Sequence, residues 1–97
     1  MDELTMNYSI DFSKSAQKVI KKWKKSNKKL YDKLYNILLP ELMSHPRTGL
    51  GHPEPLVGGN DVTYSRHITG KDVIIYDIFD DTISILVISV EGHYDDK

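Results

Sequence analysis

The sequence has no cysteine and no long hydrophobic run. The absence of cysteine excludes disulfides, a thiol nucleophile and thiolate metal ligands, and it permits a reducing compartment. The longest apolar stretch, ISILVISV at 83–90, is much shorter than a membrane-spanning helix, and the first ten residues lack the basic and apolar segments of an export signal. We therefore predict a cytoplasmic protein that does not bind a membrane.

Four histidines are present, but their spacing does not suggest a metal site. His45, His52, His67 and His93 are not spaced like zinc ligands, and no cysteine can assist them. We expect neither a metal nor another cofactor. The 97 residues fit one compact domain that buries its core without such support.

Basic residues are concentrated in the first half of the chain. Residues 1–50 hold ten lysines and arginines against five acidic residues, whereas residues 51–97 hold three against nine. Nine of the lysines lie between residues 14 and 33. This lysine block could bind a polyanion, or it could be the solvated face of a helix.

Hydrophobic periodicity predicts a strand followed by two helices. The segment YSIDF at 8–12 alternates as a strand does, and Ser13 is placed to cap a helix. Apolar residues then recur at helical spacing over 16–23 and again over 30–42, with the turn KSN between them. The two helices should form an antiparallel hairpin, and we expect the second to kink or end near Pro40.

The rest of the chain predicts a loop and three strands. Residues 46–61 are rich in proline and glycine, which is typical of a loop. Strand-like runs follow at 62–68, 72–79 and 82–90, and their short connections imply an antiparallel meander. The last run is almost wholly apolar, so we expect a central strand covered on both faces. The predicted fold is α+β: an N-terminal strand and a two-helix hairpin packed on a curved, mainly antiparallel sheet that ends in this meander.

Two ionisable residues stand where the backbone is restrained or ends. Glu54 lies between Pro53 and Pro55, and His93 follows Gly92 after the last strand. If the two side chains meet, a carboxylate and an imidazole could act as general base and general acid. If they do not, PEP is a rigid connector that carries a solvated acid.

Four segments together resemble a known toxin family. HPRTGLGHPEPL, YSRHIT, IIYDI and EGHY occur in this order after the helix hairpin. The sequence over 7–94 thereby resembles the YoeB/Txe branch of the RelE-like toxins of bacterial type II toxin–antitoxin modules. The resemblance implies the RelE/YoeB-like fold and an mRNA endonuclease that enters the ribosomal A site. In such toxins the ribose 2′-hydroxyl attacks the adjacent phosphate, and no metal takes part.

The resemblance also implies roles for individual residues. Glu54 of PEPL is the expected general base and His93 the general acid, while Tyr94 matches the tyrosine that positions the RNA. Arg66 matches the first arginine of the family's SRR motif, and His67 stands in place of the second. Both are expected to bind substrate.

The chain departs from the family pattern at two further positions. Val57 replaces a lysine, and Val73 replaces an arginine that bears on the scissile phosphate. Valine cannot donate a hydrogen bond, and the loss of one such donor typically lowers a rate by about 10²–10³. His67, Arg66 or Lys71 could supply the missing charge. Lys71 precedes Val73 by two residues and would share its strand face. The hypothesis that we favour is an attenuated enzyme, whether the change is natural or selected.

The resemblance implies two macromolecular partners. A cognate antitoxin would cover the active groove, and the ribosome would be bound through rRNA phosphates near the mRNA. Part of the lysine block would make the ribosome contacts, for which the candidates are Lys21, Lys24, Lys25 and Lys28. Residues 1–6 precede the matched region, so we expect a flexible leader or a translation start at Met6.

Two functions without catalysis are the alternatives. Relatives of the same fold poison DNA gyrase by binding and cleave no RNA, so the fold alone does not decide the activity. An inert relative could instead only sequester antitoxin, which Val73 favours. The pair of Glu54 and His93 favours cleavage.

Overall fold

Helices and strands form two layers in this computed structural model, which describes residues 7–56 and 61–91 without the side chain of Glu91. The helical layer consists of α1 (Lys14–Ser26), α2 (Lys28–Lys33), a π-helical turn (Leu34–Leu38) and α3 (Leu39–Ser44). The strands are β1 (Ser9–Phe12), β2 (Glu54–Pro55), β3 (Thr63–His67), β4 (Val73–Phe79) and β5 (Ser84–Glu91). No helix within the described ranges combines the length and the apolar character that crossing a bilayer requires.

Local capping defines the first helix and the turn after it. The Ser13 hydroxyl accepts a hydrogen bond from the Ala16 amide at 3.1 Å, as predicted, and donates one to the Ile88 carbonyl at 2.6 Å, which ties the helix start to β5. The Asn27 amide donates to the Trp23 carbonyl, and its side chain accepts from the Leu30 amide at 3.3 Å. Asn27 therefore ends α1 and begins α2.

The second helix continues through Pro40, so of the two expected outcomes, a kink or an end near Pro40, the end was wrong. The irregularity lies one turn earlier, where the backbone widens into the π-helical turn and the Leu39 amide donates to the Leu34 carbonyl. Pro40 then occupies the first turn of α3, where its missing amide costs no helical hydrogen bond. The helix ends at Ser44, with His45 as its C-terminal cap.

The five strands form one sheet in the order β1-β5-β4-β3-β2. β1 pairs in parallel with β5, and every other pair is antiparallel, which confirms the predicted meander and mainly antiparallel sheet. The short strand β2 was not predicted, because the sequence assigned Glu54 and Pro55 to a loop. It forms because Glu54 lies opposite Ser65 and Pro55 opposite Tyr64 at the sheet edge.

The helices pack against one face of the sheet, and the core lies between the two layers. Ile74, Tyr76, Ile85 and Val87 of the central strands are almost fully buried on this face. The expectation that β5 is covered on both faces was wrong, because its alternate residues, such as Ile88, are only half-buried on the other face. The other face of the sheet carries no helix from the described residues.

Candidate functional site

The face of the sheet opposite the helices, here called the open face, carries the Glu54 carboxylate. Residues paired directly across neighbouring strands share a face, and residues alternate between faces along a strand. Glu54 lies opposite Ser65, Ser65 opposite Ile75, and His67 opposite Val73. These five residues therefore share the open face. The site is a strip across three strands that carries both polar and apolar side chains.

Glu54 is held at this face by backbone pairing on both sides. Next to its strand, the Leu56 amide donates to the Thr63 carbonyl at 2.8 Å, and the His67 amide donates to the Gly51 carbonyl at 2.8 Å. Gly51 has a φ of +84°, and a Cβ there would collide with the His67 carbonyl oxygen. The Glu54 side chain itself is exposed, so a substrate can reach it.

Arg66 lies on the core side of β3 and is fully buried, which contradicts its predicted role in substrate binding. Its Nη2 donates to the carbonyls of His45 at 2.6 Å and Thr48 at 2.8 Å, and its Nε donates to the Tyr76 hydroxyl at 3.3 Å. Strand alternation places it between Tyr64 and Ile68 on the buried face. Arg66 therefore anchors the start of the loop that leads to Glu54.

The Tyr76 hydroxyl completes this buried anchor. It donates to the Pro46 carbonyl at 2.8 Å while it accepts from Arg66. Burial raises the pKa of Tyr76, so the phenol stays protonated and able to donate. Nη1 of Arg66 has no hydrogen-bond partner among the described residues. Arg66 and Tyr76 thus hold three backbone carbonyls within residues 45–48, at the start of the loop.

Arg47 closes the same loop at the surface. Its Nε donates to the Asp61 carboxylate at 3.0 Å, and its Nη1 and Nη2 each lie 3.1 Å from an oxygen of Asp80. Asp80 also accepts from the Tyr8 hydroxyl at 2.8 Å. Hydrogen bonds from Arg47 and then Tyr8 hold the pKa of Asp80 below its usual range. Residues 47 and 61 are thereby joined, which restricts the loop that carries Glu54.

His67 and Lys71 differ in their position relative to the strand face that carries Val73. His67 is exposed on the open face beside Val73, and its Nδ1 lies 3.3 Å from the Thr69 carbonyl. Lys71 was predicted to share a strand face with Val73, but β4 begins only at Val73 and Lys71 lies in the preceding turn. Its exposed side chain has no position defined by strand alternation. Of the three proposed substitutes for the arginine, His67 is the one that strand pairing places on the open face.

Several predicted site residues lie outside the described residues. These are His93 and Tyr94, together with Val57 and the proposed leader 1–6. β5 ends at Glu91, whose backbone pairs with Val73. The meeting of Glu54 and His93 therefore stays a prediction.

The four candidate ribosome-binding lysines all lie on exposed positions of the helix hairpin. Lys28 lies 3.7 Å from Asp32, and Lys24 lies 5.9 Å from the centre of the Tyr31 ring. Lys21 and Lys25 are the other two candidates, and both are exposed. No group of three or more potential metal ligands occurs in the parts of the chain that the structure describes.

Sequence similarity to known toxins covers most of the chain. The family model for the YoeB-like toxin of bacterial type II toxin–antitoxin systems matches residues 12–94. The chain belongs to this family. Toxin YoeB of Synechocystis sp. is 33% identical over 72 residues, which cover 74% of this chain and 81% of that toxin.

Solved structures of YoeB toxins share the fold. The YoeB/ParE toxin from Agrobacterium tumefaciens has a TM-score of 0.77 and 27% identity, over 89% of this chain and 99% of that one. A chain of the YoeB–YefM complex from Staphylococcus aureus has a TM-score of 0.74 and 31% identity, over 90% and 98%. The predicted RelE/YoeB-like fold is therefore confirmed, and the chain is a type II toxin of the YoeB type.

This YoeB-type toxin contains few arginines. The chain has only two arginines, Arg47 and Arg66, and both hold the loop that carries Glu54. Arg47 had no predicted role, and its place at the start of the proline-rich loop is the one sequence feature that points to an anchor. No arginine is left to bind a phosphate on the open face.

Proposed function

We propose that this toxin is an attenuated endoribonuclease that cuts mRNA in the ribosomal A site. The observation that carries this proposal is the exposed Glu54 carboxylate on the open face, beside His67 and at the family's PEPL motif. Family membership supports the reaction class. Arginine is missing from the open face, and this supports the attenuation.

The reaction needs a base, an acid and positive charge. Glu54 would take the proton from the ribose 2′-hydroxyl as that oxygen forms a bond to the adjacent phosphorus. The bond from phosphorus to the 5′-oxygen then breaks, and the leaving oxygen takes a proton from His93, the acid that the family resemblance implies. The products are a cyclic 2′,3′-phosphate and a 5′-hydroxyl. His67 and Ser65 both lie on the open face and can donate to the phosphate oxygens.

The lack of arginine on the open face also favours a second function, binding of antitoxin without cleavage. Val73 offers only methyl groups where the family has a guanidinium, and neither Arg47 nor Arg66 can replace it without giving up its loop contacts. A chain that binds a cognate antitoxin and cuts nothing would have this open face. The solved YoeB–YefM complexes support an antitoxin partner for this chain.

We also propose the ribosome as a partner, bound through Lys21, Lys24, Lys25 and Lys28 of the helix hairpin. Contacts of lysine with rRNA phosphates depend strongly on salt and do not require a particular sequence. Lys21, Lys24 and Lys25 have no ion-pair partner in the described ranges, so their charges are available for such contacts.

The test is cleavage of a defined mRNA on ribosomes whose A site holds a known codon, with the ends mapped by primer extension. The chain should cut within the A-site codon, and Glu54→Gln should lower the rate by at least about 10²-fold because the base is lost. Asp81→Asn is the matched control, since it removes an exposed carboxylate from the distant β4–β5 turn. Equal cutting by the Glu54→Gln and Asp81→Asn variants would exclude Glu54 as the base.

A further inference from the structure

A continuous groove runs between the second helix and the β3–β4 turn. It consists of two adjoining cavities of about 490 Å³ and 310 Å³, both lined by Lys33 and Thr69. The larger cavity extends to Leu50 and His67, and the smaller one extends to Asn27 at the corner of the helix hairpin. The groove therefore leads from the loop before Glu54 to the last lysines of the lysine block.

The groove begins at the open face, because His67 belongs to both. His67 lies opposite Val73 on the open face, and it also lines the larger cavity. The exposed His52, two residues before Glu54, lines the same cavity. A strand of RNA that leaves Glu54 past His67 would therefore enter the groove directly.

The charge of the groove fits a polyanion. Lys29 and Lys33 are exposed, lie one helical turn apart and have no ion-pair partner in the part of the chain that the structure describes. Asp72 is the one acidic residue in the lining, and its Oδ2 accepts the Thr69 hydroxyl at 2.6 Å. Two unpaired lysines outweigh this single carboxylate.

The apolar lining of the groove fits unstacked bases. Ile37 and Leu50 line the larger cavity and are 48% and 54% exposed, which is unusual for such large aliphatic side chains. Bases of single-stranded RNA present flat apolar faces, while the backbone carries one charge per nucleotide. The groove has lysines at the smaller cavity and exposed aliphatic residues at the larger one, and together they match both parts of such a strand.

We propose that this groove binds the single-stranded RNA that flanks the cleaved codon. The inference rests on the proposed endonuclease function, and it extends the binding surface beyond the active site. Lys29 and Lys33 bind phosphates, and Ile37 and Leu50 contact bases. Neither lysine belongs to the set proposed for rRNA, so the two surfaces can be tested separately.

The test measures binding of fluorescent RNA by anisotropy, using 2′-O-methylated strands that the 2′-hydroxyl reaction cannot cut. A ten-nucleotide strand can fill the groove, whereas a trinucleotide occupies only the active site. The double variant Lys29→Gln/Lys33→Gln should bind the longer strand about 10-fold more weakly at low salt. Loss of two phosphate contacts should lower the salt slope by about 1.4, so the advantage of the wild type should shrink about 7-fold between roughly 50 and 200 mM salt.

The matched control is Lys18→Gln/Lys22→Gln, which removes two exposed lysines one turn apart on α1, neither of which lines this groove. It should leave both affinities within about two-fold of the wild type. The trinucleotide should bind equally well to all three proteins. Thermal melting should also agree among them, because every substituted side chain is exposed.

Three results would overturn the groove proposal. One is equal weakening by both double variants, which would indicate non-specific charge attraction. Another is equal loss of trinucleotide and ten-nucleotide binding. The third is unchanged RNA binding with weakened binding of a peptide of alternating glutamate and leucine, which would make the groove a protein-docking surface. Cleavage on ribosomes distinguishes the groove proposal from the endonuclease proposal. If the wild type cuts mRNA but Lys29→Gln/Lys33→Gln binds RNA as well as the wild type does, only the groove proposal is refuted.

Discussion

Restoring arginine at position 73 should raise the cleavage rate. Val73 is half-buried at the first position of β4, opposite His67 and on the same face as Glu54. A guanidinium there would project from the open face and, unlike those of Arg47 and Arg66, would have no loop contact to maintain. It would therefore be free to bind the scissile phosphate bidentately.

The geometry of the sheet allows this contact. Glu54 on β2 and Val73 on β4 flank β3, so their strands lie about 9.6 Å apart, and the pairing places them about 7 Å apart along the strand direction. The two Cα atoms are thus about 12 Å apart. An extended arginine and a glutamate can contact one phosphodiester between them. Gain of one preorganised donor should raise the rate by about 10²–10³, which corresponds to about 2.7–4 kcal/mol of transition-state stabilisation.

The assay is the single-turnover rate of mRNA cutting on programmed ribosomes, together with growth arrest on expression. Val73→Gln is the control for size and polarity, because it can donate a hydrogen bond but carries no charge. Val73→Arg/Glu54→Gln should be silent if both residues act on one phosphate. A Val73→Arg protein that cuts no faster than wild type would refute the attenuation hypothesis, and equal gains from arginine and glutamine would refute the charge argument.

Two further predictions concern the contacts that hold the loop. Arg66→Ala should lower the free energy of unfolding in urea by about 3–5 kcal/mol, because the carbonyls of His45 and Thr48 lose a charged donor; an unchanged urea midpoint would contradict this. Since the pKa of Asp80 is held low by Arg47, its contribution to stability is present above the unfolded value and is lost as pH falls below about 4. Thermal melting of Asp80→Asn should therefore depend less on pH in that range than the wild type does, and parallel curves would contradict the assignment.

Much of the fold could be predicted because local patterns determine it. The helix hairpin follows from apolar spacing and from short polar side chains at Ser13 and Asn27, which satisfy amides three residues away. The meander follows from apolar runs with short connections. Whether the helix kinks or ends near Pro40 could not be decided from the sequence, because the π-helical turn before the proline leaves no signal in apolar spacing.

The candidate site was less predictable because it depends on which face of a strand each residue occupies. Arg66 was assigned to substrate by its motif, yet it stands between Tyr64 and Ile68 at a spacing of two, which is a sequence signal for the buried face. Lys71 was misplaced because the true start of β4 is set by pairing of Val73 with His67. A one-residue error in a strand boundary is enough to reverse or remove such an assignment.

Strand β3 couples the two faces, and this coupling decides how mutations at the site should be interpreted. His67 lies on the open face, while its backbone amide holds Gly51 and the adjacent Arg66 holds the loop from the core side. The position of the Glu54 carboxylate is therefore set by groups that never reach the substrate. Loss of cleavage on changing Arg66 or Gly51 would report a displaced loop and should be accompanied by loss of stability. A gain of cleavage on changing Val73, with unchanged stability, can only come from new chemistry on the open face. Position 73 therefore tests the catalytic proposal, whereas Arg66 and Gly51 test how the loop is held.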